Sequence, residues 1–333
     1  MKAWVVAEPK AIDDGPLAQV DRATPEPGER ELRVRVSACG VCRTDLHLAV
    51  GELAPRHPAV VPGHEVVGVV DAAGSACTRF HVGDRVGIAW LRHTCGVCRW
   101  CRSGRENLCA ASQYTGWDAD GGYAEWAVVA EGYAYALPDA FDDVHAAPLL
   151  CAGIVGYRAL LRADVPPGGR LGIYGFGASA HLVAQVAIAQ GATVHVRTRS
   201  DAAQEHAREL GAASVGGADD PVPEPLDSAV LFAPAGDLVP PILRALDRGG
   251  TLALAGIYLS EIPSLDYERD LFQERQLRSV TSNTRADGEE FLAIAAEIGV
   301  DVRVTDYPLD RADAALRDLA HDALTGAAVL TTG

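Results

Sequence analysis

The chain has 333 residues, a length that favours two domains. Hydrophobic residues make up 48% of it, enough for sizeable cores and too much for disorder. The formal net charge of -16 argues against nucleic acid or an anionic membrane as a partner, since both need a basic footprint.

Met1 to Ala7 carry one basic residue and a short apolar stretch before Glu8 and Pro9, so no signal peptide is expected. No apolar run approaches the roughly 20 residues of a membrane helix. The expected compartment is the cytoplasm, where clustered cysteines are more often metal ligands than disulfides. Leu32 to Val36 alternates apolar and charged residues, as a half-buried strand does. Val66 to Val70 and Arg85 to Ala89 are also strand-like, with turn signals at Pro62-Gly63 and Gly83-Asp84. This half reads as a mainly β domain with long loops. Within it Cys95, Cys98, Cys101 and Cys109 read C-x2-C-x2-C-x7-C and use four of the eight cysteines. Four thiolates complete a tetrahedral zinc site, which has no open position and is therefore structural.

After Cys151 the pattern changes. Leu171 to Tyr174 is a strand, and Ala178 to Gln190 a helix. Thr193 to Val196 (strand), Asp201 to Leu210 (helix) and Ser228 to Phe232 (strand) follow, then a helix around Leu243 to Leu246 and a strand at Thr251 to Ala255. Strands alternating with helices predict a doubly wound parallel sheet. The tail changes again: a helix near Gly288 to Glu297, a strand near Val302 to Tyr307, and a helix near Asp310 to Ala320. There is no internal repeat and no low-complexity segment.

Gly175-Phe176-Gly177-Ala178-Ser179-Ala180 follows a strand and opens a helix, the G-x-G-x-x-A variant of the dinucleotide fingerprint. The first glycine allows the turn, the second admits a pyrophosphate, and Ala180 keeps helix and strand close. The alternative is a plain glycine turn, which the alternating context disfavours. At the end of the next strand an acid would hold an adenosine ribose and indicate NAD. The chain has Val196-Arg197-Thr198-Arg199-Ser200 instead. Guanidinium and hydroxyl groups suit a 2′-phosphate, so NADP(H) is expected over NAD(H), unless Arg197 and Arg199 are merely solvated charges. Asp201 is expected to cap the following helix, with Gln204 three residues on.

The remaining chemistry is scattered. Cys39 and Cys42, then Gly63-His64-Glu65, then Cys151 could supply two thiolates and an imidazole to a catalytic zinc with an open position. Spacing alone does not choose between Cys39 and Cys42, and lone buried cysteines and histidines are more often core residues.

Taken together, C-x-T-D-x-H at Cys42 to His47, Gly63-His64-Glu65, the four-cysteine lobe, Cys151 and the fingerprint glycines stand in one order. The chain resembles the zinc-dependent medium-chain alcohol dehydrogenases over nearly its whole length. The resemblance implies a GroES-like mainly β catalytic domain at 1–152, with a zinc lobe at about 90–112. A Rossmann domain at 153–284 and a return to the catalytic domain at 285–333 complete the implied order. It implies two zinc ions per chain: one at Cys42, His64 and Cys151, and one at Cys95, Cys98, Cys101 and Cys109. Glu65 matches a carboxylate near the first zinc, and Asp45 an acid that orients its histidine ligand. Thr44 and His47 match proton-relay residues, Arg43 a residue that approaches the cofactor pyrophosphate, and Trp90 an aromatic wall of the substrate pocket. The cofactor-binding set is Arg43, Gly175, Phe176, Gly177, Ala178, Ser179, Ala180, Thr198, Arg199 and Ser200. Cys39 and Cys77 receive no family role and read as packing residues.

The implied activity is hydride transfer between a small or medium alcohol or aldehyde and NAD(P)(H), in a homodimer or homotetramer. The departures are Thr198, where an acid is usual, and Ala180 in place of a third glycine. The competing readings are a zinc-free quinone or enone reductase of the same fold, and a non-catalytic zinc- and nucleotide-binding protein. The substrate itself is not named by the sequence. Trp90 and the Tyr114 to Trp117 segment indicate only an apolar, partly aromatic lining.

Overall fold

A computed structural model describes residues 1–256, 258–324 and 326–333. The chain divides into two units. One comprises Met1–Cys151, Ser282–Ala296 and Val302–Gly333, the other Ala152–Thr281 and Glu297–Asp301.

The first unit opens with the antiparallel hairpin β1 (Lys2–Val6) and β2 (Leu17–Asp21). Its spine is β3 (Glu31–Val41), which buries Leu32, Val34 and Val36 while Arg35 is exposed. β3 pairs antiparallel with β4 (Val66–Ala73), which pairs with β5 (Arg85–Ile88). The short hairpin β6 (Leu91–His93) and β7 (Gln113–Tyr114) brackets the cysteine lobe and its single-turn α2 (Arg99–Arg102). β8 (Trp126–Ala130) pairs with β3, β9 (Ala134–Ala136) with β5, and the one-turn α3 (Asp143–Ala146) precedes Cys151. Irregular register between Val36 and Ala38 ends the alternation of β3, so that Ala38 to Val41 are all buried. The strand then runs directly into α1 (Arg43–Val50).

The second unit begins with α4 (Ala152–Ala163). Its sheet contains β10 (Arg170–Tyr174), β11 (Thr193–Arg197), β12 (Ser214–Gly216), β13 (Leu226–Leu231), β14 (Leu246–Leu254) and β15 (Gln276–Ser279), all parallel. The spatial order is β12-β11-β10-β13-β14-β15. Counted from β10 this is 3-2-1-4-5-6, the dinucleotide-binding order, with its reversal between β10 and β13. Helices α5 (Ala178–Ala189), α6 (Asp201–Glu209) and α7 (Val239–Ala245) connect the strands. Leu246, read from the sequence as helical, starts β14 instead. β12 and β15 carried no readable signal, being three and four residues long and at the sheet edges.

The tail adds α8 (Arg285–Ile298), β16 (Val304–Pro308), α9 (Ala312–Ala320) and β17 (Ala327–Thr331). β17 was not foreseen, because a five-residue apolar run fits buried strand and buried helix equally. It lies antiparallel on β3, with Leu330 opposite Cys39. Residues 297–301 belong to the parallel-sheet unit, where the Gln185 amide donates to Asp301 O at 2.9 Å and accepts from Asp301 N at 2.8 Å. No single helix among the described residues is long and apolar enough to cross a membrane.

Candidate metal centres and nucleotide loop

The four-cysteine lobe gathers its sulfurs without a disulfide; all eight cysteines are free thiols. Cys98 Sγ lies 3.5 Å from Cys101 Sγ, and Cys95 Sγ lies 4.0 Å from it. A tetrahedral site with metal–sulfur bonds of about 2.3 Å has edges of about 3.8 Å, so the set fits zinc. Backbone amides aim at the sulfurs: Cys98 N donates to Cys95, and Cys95 N and Ala111 N donate to Cys109, each at 3.4 Å. Donors from Val97 and Cys98 pull the Cys95 thiol down to about 6, which favours the thiolate. The lobe is tied down by groups that the sequence did not reveal. Arg285, at the start of α8, donates to both oxygens of buried Glu106 at 2.9 and 2.7 Å. The Tyr133 hydroxyl meets Thr94 N at 2.7 Å.

The second centre is assembled from distant segments. Cys42 is the N-cap of α1, set by the end of β3, while His64 and Glu65 immediately precede β4. Cys151 follows a turn of 3-10 helix whose Leu149 and Leu150 are fully buried. One donor atom from each of Cys42, His64, Glu65 and Cys151 lies within 4.8 Å of the others. Cys42 Sγ and Cys151 Sγ are 3.9 Å apart. Cys39 is 1% exposed and stands outside this group, its thiol 3.5 Å from Gly40 O. His64 is 1% exposed, and its Nε2 has no hydrogen-bond partner among the described residues. A buried imidazole nitrogen left unpaired beside two thiols fits a metal ligand.

The electrostatics agree with such a site. The hydrogen bond shared with Cys151 holds the Cys42 thiol well below its ordinary pKa and pushes Cys151 well above. Burial opposes charge on His64, yet the Asp45 carboxylate carries its pKa well above normal. Burial, and then the neighbouring Cys42, pushes Glu65 up. A cluster this rich in acidic donors calls for a cation as counter-charge.

Around the centre, Thr44 and His47 lie three residues apart on α1, the spacing that puts side chains on one face. Thr44 Oγ1 is 3.7 Å from Cys42 Sγ. His47 Nδ1 contacts the Glu52 carboxylate, a partner the sequence did not single out. Arg43, expected to approach a pyrophosphate, pairs with the exposed Asp322 carboxylate. Trp90 meets the His64 ring edge-on at 4.9 Å and stacks on Tyr114 at 4.8 Å and Trp117 at 6.0 Å. Arg56 covers the Trp117 ring at 4.3 Å.

In the parallel-sheet unit, Gly175 directly follows β10 at a φ of 86°. A Cβ there would strain the backbone and approach Ala233 N within 2.8 Å. Gly177 is the N-cap of α5, and nothing lies within 4 Å of where its Cβ would stand. Open space at the positive end of a helix suits a phosphate. Phe176 and Ala180 are buried, while Ala178 and Ser179 are partly exposed.

Two expectations fail at the end of β11. Arg197 is neither solvated nor free for a phosphate: it is 3% exposed, with its guanidinium donating to Asp220 O at 3.0 Å, Val196 O at 2.7 Å and Pro221 O at 2.7 Å. The cap of α6 is Ser200, whose hydroxyl accepts from Ala203 N at 3.4 Å, so Asp201 is the first helical residue instead. Thr198 is 8% exposed, and Arg199 is exposed with no partner among the described residues.

A family model of the alcohol dehydrogenase GroES-like domain matches residues 28–139. The chain is 58% identical over 335 residues to the "Probable alcohol dehydrogenase AdhA" of Mycobacterium tuberculosis, covering 99% of this chain and 97% of that protein. An alcohol dehydrogenase of Geobacillus stearothermophilus is 36% identical over 348 residues, with 99% of each chain covered. A thermostable alcohol dehydrogenase from Pyrobaculum aerophilum, solved with cobalt and zinc bound, is similar in structure at a TM-score of 0.90, with 27% identity and 99% of each chain covered. Gathered thiols and imidazole in a GroES-like unit, a fingerprint loop in a Rossmann unit, and relatives matched end to end place this chain in the zinc-type medium-chain alcohol dehydrogenase family.

Proposed function

We propose that this alcohol dehydrogenase interconverts small or medium alcohols and their aldehydes, with zinc held by Cys42, His64 and Cys151 and a second, structural zinc in the four-cysteine lobe. The observation that carries this reading is the buried imidazole of His64, neither ring nitrogen of which has a hydrogen-bond partner among the described residues, with one of them within 4.8 Å of donor atoms of Cys42, Glu65 and Cys151. Two thiolates and an imidazole are the donors of a catalytic zinc that keeps one position open. When bound, zinc would supply Lewis acidity towards an alcohol hydroxyl, and a nicotinamide would supply the hydride chemistry.

The chain's own residues handle the proton and the placement. Thr44 Oγ1 would accept the hydroxyl proton as it gives up its own along the relay, and His47, with 22% of its side chain exposed, would release a proton to solvent. Glu52 holds Nδ1 of that imidazole and leaves Nε2 for the transfer. Trp90, stacked on Tyr114 and Trp117, walls the apolar side of the substrate. Thr44→Val is expected to cut turnover about 100- to 10,000-fold with zinc content unchanged. Near-normal steady-state turnover in that variant would end the relay assignment.

NADP(H) is favoured over NAD(H). Residues 197–200, at the end of β11, include no acid, and exposed Arg199 with the hydroxyls of Thr198 and Ser200 can meet a 2′-phosphate. Losing one charge-assisted contact is worth about 1.5 to 3 kcal/mol. Arg199→Ala should therefore raise KM for NADPH about 10- to 100-fold and leave KM for NADH alone. Equal changes for both cofactors, in kinetics against a panel of aldehydes, would reverse the cofactor reading. A homodimer or homotetramer belongs to the same proposal. Tyr267 and Phe272, 69% and 57% exposed near edge strand β15, are surface of the kind subunits cover.

A further inference from the structure

We infer that Tyr123 is a positioning residue of the Cys42–His64–Cys151 centre, its hydroxyl completing the cage that fixes Asp45 and, through Asp45, the imidazole of His64. The inference rests on reading that centre as a metal site.

Asp45 is 2% exposed, and its carboxylate is surrounded by donors. Oδ1 accepts from Gly63 N at 3.0 Å and lies 3.3 Å from His64 Nδ1. Oδ2 accepts from Cys42 N at 2.9 Å and from the Tyr123 hydroxyl at 3.3 Å. Two of these donors belong to or adjoin residues of the centre, so the orientation of this one carboxylate sets that of Cys42 and His64 together. A buried carboxylate keeps its orientation and charge only while its lone pairs are met.

Tyr123 is built to deliver its hydroxyl there. It is fully buried, and its backbone N donates to Pro62 O at 3.0 Å while Gly122 N donates to Gly63 O at 2.9 Å. Its ring fills the space beside Gly63, where a Cβ would come within 2.4 Å of Cδ1. The ring is thus wedged against the loop that carries His64. Phenylalanine would fill the same space and lack only the donor.

Tyr123→Phe tests this in the zinc-loaded protein. Partners behind a ligand histidine change metal affinity 10- to 100-fold, and Tyr123 stands one step further back. One of the two zinc ions should be lost to a competing chelator about tenfold more readily than in the wild type. The lobe zinc is the internal control and should leave at the wild-type rate, with the thermal midpoint unchanged. Cobalt placed in the centre should show a shifted visible spectrum. Asp45→Asn, which keeps the hydroxyl and removes the charge, should loosen the same zinc further and serves if Tyr123→Phe does not fold. Zinc retention and a cobalt spectrum identical to wild type in Tyr123→Phe would overturn the inference. A wild type that holds zinc only in the lobe would instead overturn the reading of the centre itself.

Discussion

Cys151→Ala is expected to lose at least about a thousandfold in kcat/KM, because the zinc proposed to be held by Cys42, His64 and Cys151 would supply several kcal/mol of charge stabilisation and each 1.36 kcal/mol is tenfold. The loss should appear with the fold retained. Cys151 follows a turn anchored by Leu149 and Leu150, both fully buried, and its sulfur takes part in the cluster rather than in those core contacts. Metal analysis should show zinc falling from two ions to one per chain, matching the two separate donor groups. Turnover within tenfold of wild type would show that the chemistry lies elsewhere.

Cys109→Ser should have the largest effect on stability. Structural zinc contributes about 10 kcal/mol or more of apparent binding energy in small zinc domains, and that energy is spent on folding. The lobe between Cys95 and Cys109 holds only single-turn helices, so little else orders it. The Glu106–Arg285 pair should keep one end of the lobe attached while the rest opens. The expected result is protease cleavage within residues 95–111, a lowered thermal midpoint, and the zinc at the other centre still bound. Unchanged zinc content and an unchanged midpoint would remove the structural assignment.

The fold was legible where the signal is local. The strand-helix alternation after Cys151 gave the Rossmann unit because a parallel sheet needs crossovers, and each crossover has its own period. β12, β15 and β17 escaped because short strands owe their existence to the neighbour they pair with. The end of β11 misled for a related reason. Two arginines flanking a threonine look alike in sequence, but the partners of Arg197 are carbonyls more than 20 residues away, at Asp220 and Pro221. The cap of α6 moved by one residue because Ser200 and Asp201 are both good N-caps, and only the backbone turn decides which one stands first.

By itself the sequence determined the four-cysteine lobe, the glycine loop and the family, since each rests on spacing along a short or strictly ordered stretch. Tertiary structure decided the rest. It gathered Cys42 with Cys151 and left Cys39 aside: Cys39 is still within β3, paired with β4 and β17, whereas Cys42 is the N-cap of α1. It supplied Glu52 to His47, just beyond the end of α1, and it brought Glu106 to Arg285 and Tyr123 to Asp45 from segments far apart in the chain. Ligand type is a property of a residue, whereas the orientation of a ligand is set by what packs behind it, and that is written only in three dimensions.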